Sequence, residues 1–150
     1  MKRAKIVVLS MLILAVSACV TDKHVYNQQP QKIFDAVNTK YPNEKNTLVF
    51  IDAPQGFIAP HLANCAVEKG VNNGKVVAIL SSLALKTRTV IVAGEDESLT
   101  GTTLAKALTN NKEKISGSKV IVIGAKDTRQ ELTDLAAYND VAIEFIDTPI

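Results

Sequence analysis

Four carboxylates, Asp52, Glu95, Asp96 and Asp127, each stand just behind an apolar run that reads as a β-strand. In an open parallel sheet, ligands bind beyond the carboxyl ends of the strands, so this placement is where chemistry would be sought. Clustered carboxylates suit Mg²⁺ or Ca²⁺, since hard cations take oxygen ligands. The same residues suit helix starts, where an acid meets the positive end of the helix dipole. The second use needs no convergence of side chains and is the one expected here, with no metal and no cofactor assigned. His61 and Cys65 are spaced to share a helix face. With Asp52 they would complete a Cys-His-Asp nucleophilic set, and alone they are half a metal site. Pro60 places His61 in a first helical turn, where a solvated histidine is common, so a structural role is favoured.

Phosphate loops fare no better. The stretch Gly94-Glu95-Asp96-Glu97-Ser98-Leu99-Thr100-Gly101 lies between a strand and a helix, but its glycines are too far apart. It lacks the lysine, and its three acids would repel phosphate. Gly124-Ala125-Lys126-Asp127 is also well placed, yet one glycine is not a dinucleotide fingerprint. No Gly-x-Ser-x-Gly, His-Glu-x-x-His or Cys-x-x-Cys occurs. No catalytic residue is assigned, and an enzyme is the less favoured class.

The elements that would position these residues follow from hydrophobic periodicity. Ile33, Phe34, Val37 and Tyr41 fall on one face of a helix over Gln31 to Tyr41, stopped by Pro42-Asn43. Thr47 to Asp52 reads as a buried strand. Ala59 to Lys69 reads as a helix ended by Gly70. Lys75 to Lys86 suits a buried helix by its length, although Val76 to Leu80 also fits a strand. Strands at Thr89–Ala93, Lys119–Ile123 and Val141–Ile146 then alternate with helices at Leu99–Thr109 and Thr128–Tyr138. Asp127 resembles an N-cap, with Gln130 completing a capping box. Apolar strands separated by helices imply right-handed crossovers. The expected fold is α/β, a small doubly wound sheet of about four parallel strands, Leu48–Ile51, Val90–Ala93, Val120–Ile123 and Ile143–Ile146, with flanking helices.

The first residues carry a different signal. Lys2, Arg3 and Lys5 precede an apolar run from Ile6 to Ala15, closed by Val16-Ser17-Ala18-Cys19. That is the layout of a secretory signal, and the run is short for a span of about 20 residues. An ordinary signal with an incidental cysteine fits the same layout. Val16-Ser17-Ala18-Cys19 resembles the lipobox of bacterial lipoprotein precursors: an aliphatic residue, two small residues, then cysteine. The resemblance covers this segment alone. It implies a diacylglyceryl group on the Cys19 thiol, cleavage between Ala18 and Cys19, and acylation of the new amino group. In Gram-negative lipoproteins it also implies, because Val20 and not Asp follows the cysteine, delivery to the outer membrane on its periplasmic side; in a single-membrane bacterium the same signal would place the protein on the outer face of the plasma membrane.

Processing changes the charge. Losing Lys2, Arg3 and Lys5 takes the 17 basic residues to 14 against 15 acidic ones, a net charge of −1 instead of +2. Nucleic acid is therefore disfavoured as a partner, since no single later segment gathers Lys and Arg. With Cys19 lipidated, Cys65 has no disulfide partner in the chain and is expected to be buried. The chain divides into a signal (1–18), a lipid-anchored flexible tether (19–31) and a single α/β domain (32–150). Val20 to Gln31 is polar and non-periodic, contains Pro30, and spans about 40 Å when extended at roughly 3.3–3.6 Å per residue. The favoured function is a membrane-anchored envelope lipoprotein whose domain binds protein partners in an assembly or secretion apparatus. The other is a domain that binds a small ligand or metal, or hydrolyses a substrate, at its acidic strand ends.

Overall fold

Apolar side chains at helical spacing start the fold. Ile33 and Val37 are buried on helix α1 (Pro30–Lys40), which begins on Pro30, where a missing N–H costs nothing. The computed structural model describes residues 30–53, Val67 and residues 74–147. The signal, nearly all of the tether, Cys19, His61 and Cys65 lie outside the described residues.

After α1 come β1 (Asn46–Ile51), α2 (Gly74–Ala84), β2 (Thr89–Gly94), α3 (Glu97–Leu108), the short α4 (Lys112–Ile115) and β3 (Lys119–Ile123). A 3₁₀ turn (Lys126–Thr128), α5 (Arg129–Tyr138) and β4 (Ala142–Ile146) complete the series. The four strands form one parallel sheet in the order β1-β2-β3-β4. The expected class, a small α/β fold with about four parallel strands and flanking helices, is present. Val76 to Leu80 is helical, with Val76, Ile79 and Leu83 buried at helix spacing.

Strand order explains the layers. Each crossover leads to the next neighbour in the same direction, and a constant hand puts them on one face. Val49, Ile51, Val90, Val92, Val120 and Val122 point into that face and pack with α2, α3 and α5; Val67 joins the same cluster. The alternate residues Ile91, Ala93, Ile121 and Ile123 point the other way and meet Ile33 and Val37 of α1. Helices thus cover both faces unequally. The strand-order reversal that creates a ligand crevice in larger doubly wound sheets is not found among the described strands. β2 is buried throughout and β3 nearly so, which is why both read as unbroken apolar runs.

Two local devices fix how the helices sit. α2, α3 and α5 each end with left-handed backbone two residues beyond the last helical one, at Lys86 (φ 55°), Asn110 (φ 58°) and Asp140 (φ 57°). Asn and Asp tolerate that conformation, whereas Lys bears a cost of about 1–2 kcal/mol. Gly101 brings α3 against the 3₁₀ turn: a Cβ there would stand 2.0 Å from Thr128 Oγ1 and 2.8 Å from Thr128 Cβ. The expected Asp127 cap is not made. The 3₁₀ turn precedes α5, Thr128 takes the N-cap position without a side-chain cap bond, and Asp127 is exposed in the turn. Gln130 donates instead to Asp134 (3.0 Å).

Candidate functional site

The carboxyl edge of the sheet holds the acids singled out by sequence, and most of them bridge neighbouring elements. Asp52 follows β1 and pairs with Lys75 (3.2 Å), whose Nζ also donates to the Phe50 carbonyl (2.6 Å). Glu95 follows β2 and its Oε2 accepts from the Ala53 backbone N–H (3.0 Å), tying the end of β2 to that of β1. Asp96 is the N-cap of α3: Oδ1 accepts from Leu99 N–H (2.8 Å), and its carbonyl accepts from the Thr100 hydroxyl (2.7 Å). Asp147 pairs with Arg129, whose guanidinium lies 4.7 Å from the centre of the Phe145 ring. Asp127 points to solvent and meets no polar partner among the described residues.

Glu97 explains the loop after β3. Gly124 (φ 79°) and Ala125 (φ 59°) are left-handed and the next residue enters a right-handed turn. The Gly124 N–H donates to the Ile146 carbonyl (3.0 Å), and the turn brings the Lys126 N–H to face Glu97. The Glu97 carboxylate accepts its hydrogen bond (3.3 Å), and the Glu97 Cγ and Cδ lie 3.1 and 3.3 Å from where a Cβ on Gly124 would stand. The loop that occupies the phosphate-binding position in the sequence thus holds a carboxylate of its own chain.

The acids therefore do not converge. Among the described residues, no group of three or more His, Cys, Asp or Glu is placed to hold a metal ion. A shallow groove of about 220 Å³ is lined by Thr102, Ala105 and Lys106 of α3, its C-cap Thr109, and Glu131 of α5. It lies below the roughly 300–1,000 Å³ usual for small-molecule sites, and its walls are the outer surfaces of two helices.

A second polar cluster, not legible in the sequence, occupies the opposite edge beneath the C-terminus of α1. Glu44 accepts from Lys119 (2.7 Å) and from the Thr89 hydroxyl. Glu144 accepts from the Tyr41 hydroxyl and from Lys40 (3.4 Å). The Lys119 ammonium also lies 5.0 Å from the Tyr41 ring centre. The bond from Lys119, then that from Thr89, holds the Glu44 carboxyl below the ordinary carboxylate range. The Tyr41 hydroxyl does most to hold Glu144 below it, with Lys40 adding to the effect. This cluster bolts α1 and the loop after it to β2, β3 and β4. Its pairs are separated by 75 and 103 residues, so no local pattern could have revealed them.

Compared with known proteins, the chain matches no family model, no curated protein and no solved structure. No helix among the described residues is long and apolar enough to cross a membrane.

Proposed function

We propose that the chain is an envelope lipoprotein, anchored through lipid on Cys19, whose α/β domain binds protein partners in an assembly or secretion apparatus. The observation that carries this is the run Lys2-Arg3 to Val16-Ser17-Ala18-Cys19: a basic start, an apolar stretch and a lipobox-like end. Anchoring rests on chain count. Each buried CH₂ contributes about 0.8 kcal/mol, so one acyl chain holds reversibly while two or three hold durably. Val20 after the cysteine supports an outer-membrane address facing the periplasm.

A ligand-binding, metal-binding or hydrolytic role at the carboxyl edge has less support. Glu95, Asp96 and Glu97 each accept a backbone hydrogen bond, and recruiting them would break the ties between β1, β2, β3 and α3. Radiolabelled palmitate feeding followed by membrane fractionation tests the proposal. Wild type should take up label and sediment with membranes, while Cys19→Ala should do neither normally. An unlabelled, soluble wild-type protein would remove the anchor from the account.

A further inference from the structure

Because strand order is sequential, the loops entering β2, β3 and β4 lie side by side along the amino edge of the sheet. Two of the large hydrophobic side chains exposed among the described residues stand there. Leu85, 57% exposed, follows the last residue of α2, and Tyr138, 65% exposed, is the last residue of α5. Between them come Lys86 and Arg88 ahead of β2 and Lys112 and Lys114 on α4, all exposed. α4 touches α2, and Lys112 Nζ lies 5.2 Å from the Tyr138 ring centre, which sets α4 beside both α2 and the end of α5; Arg88 stands toward β1, where it donates to the Thr47 hydroxyl (3.5 Å). None of the four cations forms an ion pair among the described residues. The acids along this edge are Glu113, Asp140 and Glu44, the last paired with Lys119 (2.7 Å), which leaves a cationic excess.

Cations at helix C-termini complement the dipole, which accounts for Lys86. It does not account for a bare leucine and tyrosine standing among them. Single exposed apolar side chains are ordinary, but Tyr138 and Arg88 are of the types that anchor protein interfaces, and the lysines beside them supply a one-sign rim that a partner of opposite charge would complement. The orientation of α1 favours a protein over the anchoring bilayer. Asn38 near its C-terminus bonds Asn46 at the start of β1 (2.7 Å), so Pro30 lies toward the carboxyl edge. A chain tethered before Pro30 is held from the end away from this surface.

We propose that the surface from Leu85 to Tyr138 docks an acidic segment of a partner protein. Its apolar side chains meet Leu85 and Tyr138, and its carboxylates meet Lys86, Arg88, Lys112 and Lys114. The proposal rests on the partner-binding reading above and names the surface and chemistry of that partner. The test places a photo-cross-linking amino acid at Leu85 or Tyr138 of the full chain, in the cells that produce it. Val77, 56% exposed near the other end of α2, serves as control. The expected result is one protein adduct from both positions, with a cross-linked peptide rich in Asp and Glu. Val77 should give at least about tenfold less. Lys86→Glu/Arg88→Glu/Lys114→Glu should cut the adduct about tenfold or more, since rim charges facing an acidic partner are reversed. Lys86→Glu reverses a favourable charge at the end of α2 and Arg88→Glu removes a donor to the Thr47 hydroxyl (3.5 Å), so the triple variant should stay folded and melt a few degrees below wild type.

Lipid-only adducts would overturn the proposal, as would cross-linking to a second copy or equal yield at Val77. So would no adduct from either position, or an adduct indifferent to charge reversal. Fractionating the same cells separates this from the anchor. A soluble chain that still gives the acidic adduct removes the anchor and leaves the docking surface standing; a membrane-bound chain without it does the reverse.

Discussion

Replacing Gly101 by alanine should destabilise the domain, although the same change in a free helix would strengthen it. Alanine in a helix interior gains about 1 kcal/mol over glycine. Against that, the new methyl would stand 2.0 Å from Thr128 Oγ1, 2.8 Å from its Cβ and 2.9 Å from its Cγ2. The oxygen and methyl can rotate away, but Cβ is fixed to the backbone, so α3 or the 3₁₀ turn must move. Overpacking of this kind costs about 1–3 kcal/mol, and the rigid contact argues for the upper part. The net expectation is a loss of about 1–2 kcal/mol. A second substitution makes the argument sharp. Thr128→Gly removes the three atoms that stand nearest, at the cost of the hydroxyl bond to the Ala125 carbonyl (3.2 Å), about 1 kcal/mol. In that background Gly101→Ala should become stabilising by up to about 1 kcal/mol. Urea denaturation of all four proteins, followed by circular dichroism, gives the coupling as a double-mutant cycle. A gain from Gly101→Ala in the wild-type background, or the same effect in both, would refute the close approach of α3 to the turn.

Two further outcomes follow from the amino edge. The Glu44 and Glu144 carboxyls are held below their ordinary value of 4.5 in the folded protein. Their contribution to stability is therefore present above that value and is lost as pH falls through the lower folded one. Stability should fall off below about pH 4.5, and Glu44→Gln/Glu144→Gln should flatten that acid limb in urea titrations run at successive pH values; an unchanged limb would count against the cluster. Lys86→Gly relieves left-handed strain at a residue without Cβ penalty, and should raise stability by about 0.5–1 kcal/mol in the same denaturation assay. A loss there would show that the lysine side chain contributes more than its backbone costs.

What the sequence reveals depends on how local the cause is. β2 and β3 were legible because burial on both faces leaves an unbroken apolar run, and α1 because Ile33 and Val37 repeat at helix spacing. Asp96 as a cap was within reach too, since an acid before a helix acts over three residues. Asp127 looked the same and failed, because an intervening 3₁₀ turn shifts the helix start, and that turn depends on left-handed Ala125. Glu95 and Glu97 gave no sign of their tasks: Ala53 and Lys126 are brought to them by neighbouring strands, and strand order is a property of the whole sheet. The cations of the amino edge stayed hidden for a related reason. They arrive singly or in pairs from separate loops, so no stretch of sequence is notably basic.

The lopsided covering of the sheet also has a mechanical consequence. Tension on the chain ahead of Pro30 enters the fold through α1, which among the described helices is the one lying on its face of the sheet. The strands are cross-linked by ladders that must break together under load along their length. α1 is held by side-chain packing and by the Tyr41, Lys40 and Glu144 contacts at one end, which can yield in sequence from the pulled end. Under force it is the first part to come away. Its departure would bare Ile91, Ala93, Ile121 and Ile123 while β1 to β4 and the opposite helical layer stay paired. The domain would then yield in two stages, a low-force release of one helix followed by a higher-force rupture of the sheet.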